Sequence, residues 1–285
     1  MTTRFRYAIA DVFTSRALEG NQLAVFTDAT RIPEARLQDI AREMNFSETV
    51  FVFPPTDRTQ AHVRIRIFTP GGEVPFAGHP VLGTAFVLGI PLQAVDVLLE
   101  TGRGIVPVAL QREGAQPVFG WMKQPVPTWK PFGAAETQAL LAGLGVERSE
   151  LPVEVYSNGI DHVYVALPSE DEVAAVEPDL AALKRLGFYG INCFAGEGLR
   201  WKTRMFAPAK GVAEDPATGS AAGPLAVHLA RHGRIAWGDE IVIRQGAELR
   251  RPSELTARAE GSAGGVEAVS VGGAAVIVAR GELLL

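Results

Sequence analysis

Apolar and polar residues alternate in short runs along most of this 285-residue chain, and two stretches break the pattern. Phe5 to Phe13 alternates well enough for a first strand, and Leu23 to Phe26 gives a second after the turn signal Gly20–Asn21. Leu37, Ile40, Ala41 and Met44 have helical spacing and predict a surface helix over Pro33–Met44. Thr49–Phe53, His62–Phe68, Val97–Leu99 and Ile105–Leu110 read as further strands. The first break is Val74 to Val95, where no side chain is formally charged and the apolar residues show no single face. By length alone the run could span a membrane. Pro75, Pro80 and Pro91 interrupt it, and Gly78, Gly83 and Gly89 weaken it as a lone helix. A helix apolar all round in a soluble chain is buried, so about Pro80–Leu88 is expected at the centre of a wrap of strands. Pro80 suits the first turn, and the amides at Gly78 and His79 then face outward as an anion site.

The second break is a copy of the first. Glu214 to Ala226 aligns with Glu73 to Ala85 at an offset of 141, which sets Pro216 on Pro75, Gly219 on Gly78 and Ser220 on His79. Arg204–Pro208 resembles Arg66–Pro70 at an offset of 138, and Ile241–Gly246 resembles Val97–Gly102 at 144. Asn158–Val163 resembles Asn45–Val50 at 113, which puts Asp161 in the place of Glu48 with its role open. Four matches in one order indicate a duplicated domain. The second half predicts helices over Ala134–Leu144, Pro178–Leu186 and about Pro216–Arg231. Its strands are Val153–Ser157, Val163–Leu167, Gly190–Phe194 and Trp201–Phe206, then Glu240–Arg244, Glu254–Ala259, Val266–Val271 and Ala275–Ala279. Pro117, Pro125, Pro127 and Pro131 mark the crossover, giving lobes of residues 1–125 and 126–274. The class is α+β: two similar lobes, each a β-barrel or curled sheet around a buried central helix.

Composition narrows the partners. The hydrophobic share of 47% supports a proper core in each half. A net charge of −5 without a basic stripe argues against nucleic acid. Cys193 is the single cysteine, which excludes an internal disulfide and fits a reducing compartment. The opening residues lack a signal-peptide pattern, so a soluble cytoplasmic protein is expected.

Phosphate loops, dinucleotide fingerprints, zinc-protease motifs and paired Cys-x-x-Cys are absent. The five histidines show no metal grouping, and no metal is expected; His228 and His232 read as the solvated end of a helix rather than ligands. Glu48 enters an apolar strand, where burial would raise its pKa towards an acid/base range; an exposed strand-edge glutamate fits equally well. His79 is either a proton donor at a buried helix start or a satisfied core histidine. Asp215 before Pro216 has the pattern of an N-cap, a role compatible with facing a ligand. Gly219 and Ser220 offer amides and a hydroxyl like those at Gly78 and His79. Two such helix starts facing one interlobe cleft would hold a small carboxylate.

These pieces resemble the PhzF family of phenazine biosynthesis-like proteins: Gly20–Val25, Asn45–Phe51, Phe68–Gly83, Glu214–Gly223 and the Gln245–Gly246 to Arg251–Ser253 segment. The resemblance implies the diaminopimelate-epimerase-like fold, with a last strand at about 275–285 returning to the first lobe. It also implies a homodimer, no cofactor, and isomerisation of trans-2,3-dihydro-3-hydroxyanthranilate by a hydrogen shift. Glu48 would then shuttle the proton, His79 and Asp215 would assist at polar groups, and amides near Gly78, Gly219 and Ser220 would hold the carboxylate. Gln22 and Arg250 depart from the family's usual proline and glycine, off the acid/base group. Related epimerases carry one cysteine per lobe where Ala77 and Thr218 stand, so a two-thiol racemase is excluded. The leading expectation is an isomerase moving a proton on a small unsaturated carboxylate. A lyase or hydrolase on a small carboxylate metabolite and a non-catalytic anion-binding protein are the alternatives.

Overall fold

A computed structural model describes residues 3–187, 190–262 and 264–285 and divides the chain into two compact units. Met1–Lys123 with Gly272–Leu285 form the first, and Gln124–Val271 the second. The first unit opens with β1 (Arg4–Val12), β2 (Asn21–Phe26), helix α1 (Glu34–Met44), β3 (Glu48–Phe53), β4 (Val63–Thr69) and β5 (Gly72–Val74). Helix α2 (Gly78–Leu92), β6 (Asp96–Thr101), β7 (Gly104–Glu113) and β8 (Gln116–Gln124) follow. The second unit holds β9 (Thr128–Pro131), α3 (Ala134–Leu144), β10 (Glu154–Ser157), β11 (Asp161–Ala166), α4 (Glu170–Ala175) and α5 (Leu180–Leu186). It continues through β12 (Gly190–Glu197), β13 (Arg200–Ala207), β14 (Val212–Asp215) and α6 (Gly219–Arg231) to β15 (Glu240–Gln245), β16 (Ser253–Ser262) and β17 (Gly265–Gly273). The last strand, β18 (Ala275–Leu284), runs antiparallel to β1, with Arg4 opposite Leu284.

Each unit is a curled sheet around one helix. Every residue of α2 from Gly78 to Gly89 is buried, as the uncharged run required. The helix packs on β1, β2, β3, β6, β7 and β18. Val81, Leu82 and Ala85 are fully enclosed, each large side chain contributing about 1.5–3 kcal/mol by leaving water. Gly83 permits the close approach, because a Cβ there would stand 2.6 Å from Val12 Cγ2 and 2.7 Å from Leu23 Cδ2. Helix α1 buries Leu37, Ile40 and Ala41 on a smaller cluster with Phe5, Phe26, Phe51 and Phe68. In the second unit α6 is buried from Gly219 to Ala230 and packs on β16 and β11. No helix among the described residues is long and apolar enough to cross a membrane.

The duplication extends to the strand ladders. In the first unit β2–β3 is parallel, β3–β4 and β4–β5 are antiparallel, and β4–β6 is parallel. In the second, β11–β12 is parallel, β12–β13 and β13–β14 are antiparallel, and β13–β15 is parallel. Arg66 forms a two-pronged pair with Glu73 at 2.7 and 2.6 Å, and Arg204 does the same with Glu214 at 2.9 and 2.8 Å. Register then corrects one alignment. Arg66 lies opposite Phe51 and Arg204 opposite Cys193, so β3 corresponds to β12 and Glu48 to Gly190. Leu23 pairs with Glu48 and His162 with Gly190, so Leu23 corresponds to His162. Asp161 starts β11, the counterpart of β2, and does not occupy the place of Glu48. The match at an offset of 113 arose from two strand entries of like composition on different strands.

Other boundaries moved for local reasons. The proline-rich crossover contains β8 and β9; Pro117 sits next to a register shift in the β7–β8 ladder, where a missing N–H is tolerated. Helix α6 begins three residues beyond Pro216, and α2 continues past Pro91 to Leu92.

Candidate active site

In the first unit the start of β3 and the start of α2 bring Glu48 and His79 together. Glu48 Oε2 lies 3.5 Å from His79 Nε2, with the carboxylate side chain 15% exposed and the imidazole 4%. On the far side of the ring, the Asn21 amide nitrogen stands 3.3 Å from His79 Nδ1, and Asn21 Oδ1 accepts from Ser47 Oγ at 3.5 Å. Burial depresses the His79 pKa to about 3, against an opposing backbone hydrogen bond with Gln22. The ring is therefore neutral at ordinary pH, a hydrogen-bond donor rather than a cation. Ala77 caps α2 in extended conformation without a side-chain hydrogen bond, and no acidic residue lies in the first turn. The amides of Gly78 and His79 are first-turn groups that no intrahelical carbonyl reaches.

The second unit builds a different helix start. Asp215 ends β14 and is not the N-cap of α6; that position belongs to Thr218. Pro216 and Ala217 form a short loop, and Thr218 Oγ1 donates to Asp215 Oδ2 at 2.6 Å. Gln245 completes the turn: its Oε1 accepts from the Thr218 amide at 3.1 Å, and its Nε2 donates to the Asp215 carbonyl at 2.7 Å and to Thr218 Oγ1 at 3.0 Å. Gln124 donates to the Gly219 carbonyl and Asn158 to the Ser220 carbonyl, at 2.7 and 2.9 Å. Ser220 Oγ lies 3.0 Å from His162 Nε2. Asn21 beside His79 in the first unit, and His162 and Gln245 beside the start of α6 in the second, are neighbours that residue-by-residue reading passed over. Gly20–Asn21 and Gln245–Gly246 had stood out only as motif fragments.

His228 on α6 and His232 at its C-cap do not form a solvated helix end. His228 is fully buried, and its ring stacks on Tyr164 with centroids 5.8 Å apart. Glu154 Oε2 receives His228 Nδ1 at 3.3 Å, His232 Nε2 at 3.0 Å, Arg231 at 2.7 Å and the Tyr156 hydroxyl at 2.8 Å. Glu154, His228 and His232 are of metal-ligating type. The donors converge on one carboxylate oxygen, and the Arg231 guanidinium already neutralises it, which disfavours a cation there.

An enzyme of the isomerase class is what the known relatives define. The family model for phenazine biosynthesis-like proteins (PhzC-PhzF) matches residues 10–281, and the chain belongs to that family. It is 50% identical over 279 residues to the trans-2,3-dihydro-3-hydroxyanthranilate isomerase of Pseudomonas fluorescens, covering 98% of this chain and 99% of the relative. The crystal structure of a PhzF-family phenazine biosynthesis protein from Bacillus anthracis superposes with a TM-score of 0.87 at 26% identity, over 99% of this chain and 100% of that one. A hydroxyproline epimerase from Agrobacterium vitis, 13% identical with a TM-score of 0.69 over 99% and 91% of the two chains, shares the fold.

Proposed function

We propose that the protein shifts a proton within a small unsaturated carboxylate, with Glu48 as the general acid/base. The observation that carries this is the pair at the start of α2: a carboxylate 3.5 Å from a buried imidazole. The repeat adds a second argument. The counterpart of Glu48 is Gly190, so the duplicated framework supplies a carboxylate at this position in one unit alone. Ala77 and Thr218 at the two helix starts carry no thiol. A racemase abstracts on one face of a carbon and delivers on the other, which needs two bases; one base suits removal and return on the same face. Glu48 takes the proton from a saturated carbon, the electron pair enters the conjugated system, and the same proton returns to another carbon. Atoms and charge balance without a co-reactant.

Neutral His79 and Asp215 would assist at the substrate's polar groups, and the amides near Gly78, Gly219 and Ser220 would hold the carboxylate. The Pseudomonas relative supports trans-2,3-dihydro-3-hydroxyanthranilate as the first substrate to assay. Buried Cys193, with its thiol pKa pushed up to about 12, suits a reducing cytoplasm, and the family resemblance supports a homodimer. The decisive variant is Glu48→Gln, which preserves size and hydrogen bonding. Turnover should fall by about 10²–10⁴-fold while carboxylate-ligand binding and melting temperature hold. Full turnover by this variant would remove Glu48 from the chemistry. Loss of folding would mark it as structural. Release of a fragment or addition of water, seen by mass spectrometry of the product, would favour a lyase or hydrolase.

A further inference from the structure

The place that Glu48 holds in the first unit is filled differently in the second. Gly190 stands there, and a Cβ on it would lie 2.4 Å from His162 Nδ1 and 2.9 Å from Cε1. The absent side chain is what makes room for the His162 ring. That ring is fully buried, where Leu23 sits in the first unit. Asn192 places its amide nitrogen 3.5 Å from Nδ1, with the Val163 carbonyl at 3.2 Å and the Gly190 carbonyl at 3.4 Å also in reach of its two N–H groups. On the other side of the ring, Nε2 lies 3.0 Å from Ser220 Oγ. Burial pushes the His162 pKa down to about 3 against the pull of Asp161, so the ring is neutral across the working range.

We infer that His162, accepting from Asn192 at Nδ1 and donating to Ser220 from Nε2, is a positioning residue which fixes Ser220 as a hydrogen-bond donor and thereby makes the site select a carboxylate over its neutral carboxamide. A hydroxyl that accepts from an imidazole N–H orients its own proton elsewhere, towards an acceptor. A carboxylate presents acceptors at both oxygens. A carboxamide whose NH₂ falls against Ser220 meets a donor with a donor. Gly190 supplies the space and Asn192 the tautomer, so the substitution of glycine for the first unit's glutamate converts a base position into an anion-orienting one. This inference rests on the reading of Ser220 as a carboxylate contact.

The test uses anthranilate and anthranilamide as paired probes, with binding measured by calorimetry and turnover measured separately. His162→Leu installs the residue that the sibling unit carries at this position. It should weaken anthranilate by about 10-fold, in line with loss of an oriented bond to an anion. It should raise KM more than it lowers kcat, and narrow the carboxylate-to-carboxamide ratio by a similar factor. His162→Gln retains an N–H donor and should restore most of that ratio. A His162→Leu protein with an unchanged ratio, while Ser220→Ala loses anthranilate binding, overturns the role of His162 and leaves the Ser220 reading standing. Unchanged binding in Ser220→Ala overturns both. If His162→Leu does not fold, His162→Gln carries the decision: a ratio that stays at the wild-type value supports the donor role, and one that collapses overturns it.

Discussion

Two imidazoles buried without charge make the fold sensitive to mild acid. His79 and His162 both have pKa values of about 3 in the folded chain, and desolvation is the main cause in each. In the unfolded chain the ordinary value is about 6.5. The folded value lies below the unfolded one, so the unfolded state binds the proton more tightly. Stability is therefore fully present above about pH 6.5 and is lost as pH falls towards 3. At pH 5.5 an unfolded imidazole is about nine-tenths protonated while the buried ring stays neutral, which costs about 1.4 kcal/mol per ring. The figure requires only that the folded value lie well below 5. Both rings together remove about 2.8 kcal/mol between pH 7.5 and 5.5, a large part of an ordinary stability of 5–15 kcal/mol. His228 is shifted in the same direction and adds to the effect. Urea unfolding followed by tryptophan fluorescence at several pH values measures the slope. His79→Gln and His162→Gln should each reduce the loss by about 1.4 kcal/mol, because glutamine does not titrate. Carboxylates contribute equally to wild type and variants and cancel. An undiminished loss in both variants would show that these rings accept protons while folded, and the neutral-donor assignments would fall with it.

Packing and charge yield further expectations. Gly83→Ala forces a Cβ against Val12 and Leu23 and should lower stability by about 1–3 kcal/mol, read as a reduced denaturation midpoint with unchanged slope. The duplicated arginine pairs should respond unequally. Glu214→Ala strands a guanidinium that is 8% exposed and should cost about 3 kcal/mol, whereas Glu73→Ala leaves Arg66 exposed enough for water and paired with Glu34, at about 1 kcal/mol or less. Equal losses in matched urea titrations would refute the role assigned to burial.

The sequence made the core legible because its signal is one of amount. An uncharged run as long as Val74–Val95 has few places to go in a soluble chain, and α2 lies where that argument put it. Ala134–Leu144 is ended by Gly145, whose φ of 71° closes α3 in the left-handed region. Short elements were lost where packing decides. Strand β5 has three residues, and α4 declares itself only through Ser169 accepting from the Glu172 amide. The site was half legible. Glu48 and His79 meet at 3.5 Å, but what surrounds them comes from other strands: Asn21 precedes His79 by 58 positions. His162 and Ser220 show the same limit. The N-cap reading of Asp215 failed for a local reason, since a cap is defined by where the helix bends in, and Gln245 settles that from a distant strand.

The pairing of β1 with β18 sets the order in which the molecule can be assembled. The amide of Thr3 donates to the Leu285 carbonyl and that of Leu285 to Thr3, so one end of the ladder joins residues more than 280 positions apart in the chain. The whole second unit is contiguous in sequence and leaves the ribosome before β18 does. Until β18 emerges, β1 has β2 along one side and a bare row of backbone donors and acceptors along the other. Such an edge invites pairing with another nascent chain. The N-terminal unit, first to be translated, is thus the last to close, and its solubility during synthesis depends on the final ten-residue strand arriving in time.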